Sequence, residues 1–257
     1  MKIIPLDSAH FYQSNSMNRG VQTFTSFISD KSQFIFLNDH LGRLLKGADF
    51  LFPEASWHDK KAPLMEFLHS EFVPSHYYRL CICEDVVMFS KKPHAPKAAF
   101  VSLGNAQSQK INTIIPAYVK TPNYLLAELE LKAAAKKKFD DVLFYDQVGN
   151  LTEASTSNVF VLLNDTTLIT PKVSSMVLEG VIRKRLIEFL RKSDLKVIEA
   201  DISKSELESS KEIWLTNAVQ GLRLVDRYET IEMFQEKTVY QTIVSGFGRF
   251  GEKFNHD

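Results

Sequence analysis

Residues 111–160 read INTIIPAYVKTPNYLLAELELKAAAKKKFDDVLFYDQVGNLTEASTSNVF, and the rest of the chain is organised around this stretch. An apolar run closes on a single lysine, Lys120. The turn Thr121-Pro122-Asn123 follows, where proline fixes its own φ and biases Thr121 away from helix. Asn123 can cap a helix that starts at Tyr124. Beyond that helix the spacing predicts a hairpin pairing DDVLFYDQ with LTEASTSNVFVLL across Gly149-Asn150, with Glu153 on its second strand. A lone lysine at the end of a buried run, then a turn and a carboxylate on a nearby hairpin, suggests chemistry. Judged by residue type alone, a solvated surface charge is the commoner fate of a lysine.

The same stretch continues into a longer pattern: Lys120, Tyr124, Glu153, Asn158, Phe160, Thr170-Pro171, then Leu178, Gly180 and Arg183. In this order and spacing it resembles the class IV aminotransferases. These fold type IV pyridoxal-phosphate enzymes include branched-chain aminotransferases, D-amino-acid aminotransferases and 4-amino-4-deoxychorismate lyases. The resemblance implies an α+β fold in two domains. A smaller N-terminal α/β domain would span 1–117 and a larger C-terminal cofactor-binding domain 118–257. It also implies pyridoxal 5'-phosphate as cofactor, and a homodimer, because the family builds its site with loops contributed across the interface.

Composition narrows the alternatives. With 257 residues, 44% of them hydrophobic, the chain can bury one large core or two small ones. Lysine plus arginine equals aspartate plus glutamate, 31 against 31, so no global field draws in nucleic acid or an anionic membrane. No apolar run approaches a membrane span. The opening MKIIPLDSAHFYQSN lacks the apolar segment of a signal peptide, so a cytoplasmic enzyme is expected. Cys81 and Cys83 stand two apart in the strand-like RLCICED and share a face. They are badly placed for a disulfide and make a poor zinc site, which leaves buried thiols in a reducing compartment and no metal.

Outside the central stretch, FTSFISDKSQFIFL reads as a hairpin and NDHLGRLLKGADFLF as a helix. Its stripe is Leu37, Leu41, Leu44, Leu45 and Ala48, with Asn38 or Asp39 near the start and Arg43 on the opposite face. HYYRLCICEDVVMFSKKP reads as a strand pair. In the helix after Lys120, Leu125, Leu126 and Leu129 form the apolar side, and Lys136–Lys138 suit the C-terminal dipole. VLEGVIRKRLIEFLRKS predicts a helix entered at Gly180, and strands KVIEAD and EIWLTNAV flank a short helix at SKSELESS.

The resemblance assigns roles residue by residue. Lys120 would hold the cofactor aldehyde and shuttle the substrate proton, Glu153 would face the pyridine nitrogen, and Tyr124 would donate to the phenolic oxygen. The phosphate would meet Arg43, the helix start at Val181 and Ile182, and the loop holding Asn217 and Ala218. Asn217 as a simple turn residue is the competing reading. Tyr77 and Arg79 match the substrate-carboxylate pair of branched-chain aminotransferases. Thr25 stands where transaminases often carry glutamate and the lyases threonine, and Asn217-Ala218 also looks like the lyases. One departure concerns the Gly-Asp-Gly turn usual in relatives: Asn18-Arg19-Gly20-Val21-Gln22 runs directly into Thr23-Phe24 without it. A lyase releasing pyruvate and 4-aminobenzoate from 4-amino-4-deoxychorismate is the first expectation. A branched-chain or D-amino-acid transaminase is the second, and a non-catalytic relative the third.

Overall fold

The computed structural model describes residues 1–5, 16, 19–233 and 238–255. The chain forms two compact units, one of Met1–Ala95, Tyr118–Asn123 and Asn255–Asp257, the other of Pro96–Ala117 and Tyr124–Phe254. The single cut expected after residue 117 is therefore replaced by several crossings. The strand at Phe100–Asn105 pairs within the second unit, which takes the chain from Pro96 onward with it.

The first unit carries β1 (Lys2–Pro5), β2 (Thr23–Ile28), helix α1 (Leu37–Leu51), helix α2 (Lys61–Ser70), β3 (His76–Cys83) and β4 (Val86–Pro93). Its sheet runs β1-β4-β3-β2, with β1 parallel to β4 and the other pairs antiparallel. The predicted stripe of α1 is buried in full and packs on Phe27, Tyr78, Leu80, Ile82 and Val87. Burial of each such leucine contributes about 1.5–3 kcal/mol, more than the propensity differences along the helix. The helix starts one residue before the expected cap: Phe36, left-handed at φ 52, is the N-cap and makes no side-chain cap bond. The hairpin expected at FTSFISDKSQFIFL reduces to β2 and a single bridge, Ser29 to Phe34. Register decides which side chains share a sheet face. Thr25 lies opposite Leu80, Ser26 opposite Arg79 and Ile28 opposite Tyr77. Alternation then puts Thr25 on the helix-covered face, and Tyr77 and Arg79 on the other.

The second unit carries β5 (Phe100–Asn105), α3 (Leu125–Lys136), β6 (Asp141–Tyr145), β7 (Leu151–Ala154), β8 (Asn158–Asn164) and β9 (Thr167–Pro171). Then come α4 (Val181–Leu190), β10 (Lys196–Ala200), α5 (Lys204–Glu208), β11 (Glu212–Asn217), β12 (Gly221–Tyr228), β13 (Ile231–Glu232) and α6 (Val239–Phe247). The sheet order is β10-β9-β8-β11-β12-β5-β6-β7, with β13 on β12. The hairpin across Gly149-Asn150 forms, but its second arm breaks after Ala154, and β8 turns away to pair with β9 and β11.

Helix α3 corrects a sequence expectation. Leu125, Leu126 and Leu129 are exposed, while Ala127, Leu131 and Ala134 pack inward beside a buried glutamate, Glu130. Its carboxylate takes the amides of Gln107 at 3.0 Å and Ser108 at 2.8 Å, so a polar residue fixes the helix's rotation. The helix also starts from Tyr124, the N-cap, rather than from an Asn123 cap. Asn18 lies outside the described residues; Arg19-Gly20 form a turn in which Gly20 adopts φ +72. Of the opening MKIIPLDSAHFYQSN, residues 6–15 are likewise outside the description. No helix among the described residues is long and apolar enough to cross a membrane.

Candidate active site

In the first unit the site residues gather around the end of β2. Lys120 returns to this strand after the chain has left it: its carbonyl accepts from Phe24 N at 2.9 Å and from Thr23 Oγ1 at 3.2 Å. Backbone bonding fixes the position from which its side chain leaves. Lys120 Nζ lies 4.9 Å from the Phe24 ring centre, and the Arg79 guanidinium carbon lies 4.0 Å from the same centre. One aromatic ring thus carries two cations, each drawn to its quadrupole. Arg79 Nε also donates to Cys81 Sγ at 3.5 Å, and burial pushes the Cys81 thiol up, against the pull of Arg79. Tyr77 hydroxyl pairs with Ser26 Oγ at 3.0 Å on the same sheet face.

Thr25 is placed differently from Tyr77 and Arg79. It is fully buried, and its hydroxyl meets His40 Nδ1 at 2.9 Å and Arg43 Nη2 at 3.4 Å. Arg43, expected on the far side of α1, reaches back to β2 through this contact. His40 was missed by sequence reasoning, although its place three residues before Arg43 is the spacing that aligns side chains on a helix. Burial above all, then the charges of Arg43 and Lys120, hold His40 well below the ordinary imidazole range. The imidazole is therefore neutral, and its Nε2 is buried without a hydrogen-bond partner.

In the second unit a separate set forms between β7, α4 and the turn after β11. Glu153, on β7, is not a solvated strand residue. Its Oε1 pairs with Lys110 Nζ at 2.5 Å and its Oε2 accepts from Leu178 N at 2.8 Å. Gly180 is the N-cap of α4. Lys184 N, bonded to Gly180 O at 3.0 Å, is the first-turn amide with an intrahelical acceptor, so the amides of Val181–Arg183 emerge at the helix start. Val181 and Ile182 side chains are buried, which leaves their backbone as what they offer. Asn217 closes its turn. Its Oδ1 accepts from Val219 N at 2.9 Å and Gln220 N at 2.6 Å, and its Nδ2 donates to Ser157 Oγ at 2.9 Å. Ala218 sits inside that turn, and next to it Thr216 Oγ1 is buried with no hydrogen-bond partner. Tyr124 lies at the head of α3, where its carbonyl accepts from Glu128 N at 2.8 Å.

This donor inventory fits pyridoxal phosphate. In the second unit a helix start with emerging amides and an unpartnered buried hydroxyl suit a phosphate dianion, and a bonded carboxylate suits a pyridine nitrogen; in the first unit Lys120 carries the amine that an aldehyde requires. Lys110 carried no signal in the sequence, since no neighbouring residue pattern marks it out from the other lysines of the chain.

Comparison with known proteins gives a consistent answer. A family model described as amino-transferase class IV matches residues 22–228. A protein of Aquifex aeolicus, provisionally named a branched-chain-amino-acid aminotransferase, is 22% identical over 244 residues, covering 84% of this chain and 78% of its own. A crystal structure from Legionella pneumophila, provisionally described as a 4-amino-4-deoxychorismate lyase, superposes with TM-score 0.82 at 21% identity, over 95% of this chain and 97% of that one. The branched-chain amino acid aminotransferase of Escherichia coli superposes with TM-score 0.80 at 20% identity, over 94% and 89%. At such identities the structural likeness speaks for the fold.

Proposed function

We propose, because the chain belongs to the class IV aminotransferases, a family of pyridoxal-phosphate-dependent enzymes, that it removes pyruvate from 4-amino-4-deoxychorismate to give 4-aminobenzoate. The observation that carries this reading is the turn after β11. An asparagine side chain builds it by holding the Val219 and Gln220 amides, the Asn-Ala form that resembles the lyases rather than the Gly-Thr-Ala of transaminases.

The bound cofactor supplies an electron-withdrawing ring that makes the C–H next to the substrate amine acidic. The chain's own groups do the rest. Lys120 would hold the cofactor through its side-chain amine and would take that proton from the substrate. In the second unit the amides of Val181 and Ile182 would hold the phosphate; Arg43, bonded to Thr25 in the first unit, is assigned to the phosphate by the family resemblance. Tyr124 holds the phenolic oxygen, and Glu153 holds the proton on the ring nitrogen. Arg79 and Tyr77 hold a substrate carboxylate. In the elimination the substrate C–H proton goes to Lys120 and the C–O bond to the enolpyruvyl group breaks. That group takes up a proton and leaves as pyruvate, while the ring becomes aromatic.

A transaminase of branched-chain or D-amino acids is the second reading, favoured by Arg79 sharing the Phe24 ring with Lys120. Pyruvate release decides between them. A lyase makes many turnovers of pyruvate and 4-aminobenzoate with no added keto acid; multiple turnovers only with 2-oxoglutarate present would refute it.

A second copy of this chain is the partner proposed for the exposed apolar residues Leu125, Leu126 and Leu129 of α3. Sedimentation should show a dimer that Leu125→Lys with Leu129→Lys dissociates. A monomeric parent, or a dimer indifferent to those changes, would remove this part of the proposal.

A further inference from the structure

We propose that Lys110 is a positioning residue for the reaction: it pins Glu153 and weakens that carboxylate's hold on the proton of the cofactor's ring nitrogen. The inference rests on the proposed placement of Glu153 against that nitrogen. Its basis is the geometry of the pair. Lys110 Nζ sits 2.5 Å from Glu153 Oε1 and 3.2 Å from the Met176 carbonyl. Both side chains are mostly buried, at 24% and 17% exposure, so water screens the contact little.

The lysine is itself held. Lys110 N donates to Tyr145 O at the end of β6, at 2.8 Å. Two residues on, Ser175 Oγ binds Asn112 Oδ1 at 2.9 Å and accepts from Thr113 N at 3.1 Å, which ties this loop to the segment leading into α4. The Phe144 ring centre lies 5.5 Å from the ammonium and supplies an apolar wall. Glu153 is therefore gripped on one oxygen by a fixed cation and on the other by the Leu178 amide.

A carboxylate has about four acceptor sites, so these two bonds leave capacity for a third partner. An ammonium in contact with the carboxylate cancels part of the negative potential that the carboxylate presents to a group facing it. A ring nitrogen facing Glu153 is accordingly less firmly protonated than one facing an unpaired carboxylate. Lys110, ten residues before Lys120, would in this way set how strongly the ring draws electrons while never touching the cofactor.

The test uses holoenzyme reconstituted with cofactor carrying nitrogen-15 in the ring, and follows the ring-nitrogen resonance with pH. Lys110→Met should raise the ring-nitrogen titration midpoint by about one pH unit or more, since Leu178 N still keeps Glu153 in place. Lys110→Arg, which keeps the charge, should titrate like the parent. Glu153→Gln should lower the midpoint. A Lys110→Met midpoint that stays put or falls, with Glu153→Gln lowered, overturns the role of Lys110 alone. A midpoint that Glu153→Gln leaves unmoved overturns the placement of Glu153 and the inference with it. Thermal stability of each variant separates a loss of fold, which would move the melting temperature without moving the midpoint.

Discussion

Gly180→Ala probes the join between β8 and the start of α4, and its cost can be worked from the structure. The backbone is no obstacle, since φ −72 and ψ 136 suit alanine. Space is the obstacle: a Cβ at 180 would overlap Asn158 Oδ1 outright and lie 3.1 Å from its Cγ. Asn158 is 5% exposed and donates from Nδ2 to the Leu178 carbonyl at 2.9 Å, so it cannot swing into solvent. Losing that bond costs about 0.5–1.5 kcal/mol. Forcing the side chain aside in a packed interior costs about 1–3 kcal/mol. The smaller entropy of the unfolded alanine chain returns about 0.4–1 kcal/mol. The steric terms win, and urea denaturation of the cofactor-free protein should show a net loss of about 1–3 kcal/mol. Because the same shift re-aims the amides of Val181 and Ile182, pyridoxal phosphate should also bind several-fold more weakly. In an Asn158→Ala background the clash partner is gone, and the alanine at 180 should cost much less. Equal cost in both backgrounds, or a Gly180→Ala protein within about 0.5 kcal/mol of the parent, would rule out the clash with Asn158 as the cause.

Arg43→Ala should weaken cofactor binding about tenfold or more, because a charge-assisted contact contributes about 1.5–3 kcal/mol; unchanged affinity of the cofactor-free form would remove Arg43 from the phosphate. His40 makes a pH prediction. Its folded-state pKa is depressed, so the unfolded chain binds the extra proton and stability falls as pH drops below the ordinary 6.5, by at most about 1.4 kcal/mol per pH unit. His40→Gln should flatten that acid limb, and a limb of parental slope would assign it to other groups. Arg223 and Asp141 form a buried pair at 3.2 Å, so Arg223→Ala, which removes the carboxylate's charge partner while its bonds to Val142 N and Ser155 remain, should cost about 3–5 kcal/mol in urea denaturation, whereas a cost under about 1 kcal/mol would mean the pair contributes nothing.

Periodicity and turn chemistry carried much of the fold. The α1 stripe from Leu37 to Ala48 and the β3–β4 pair are both where pattern puts them, since local spacing and burial agree there. The α3 face misled because apolar residue type and burial part company: Glu130 turns inward to serve two amides more than fifteen residues away in the chain, and the leucines are left outside. No local rule sees such a bond. The crossing at Pro96 was invisible for a related reason: β5 is assigned by its partners β12 and β6, not by its own composition. The resemblance named Lys120, Arg43 and Glu153, whereas His40 beside Thr25 and Lys110 beside Glu153 emerge only from three-dimensional contact. Thr25 illustrates the limit of strand position as a guide: a one-residue offset from Ser26 places it on the opposite sheet face from Tyr77 and Arg79.

The proposed chemistry turns on which lysine carries the cofactor, and reductive trapping measures that directly. The holoenzyme is reduced with borohydride, digested, and its pyridoxyl peptide sequenced by mass spectrometry. A single modified peptide is expected, with the group on Lys120 and none on Lys110, whose ammonium is engaged by Glu153. A pyridoxyl group on Lys110 or any other lysine, or no modified peptide from a cofactor-saturated protein, would contradict the assignment of Lys120.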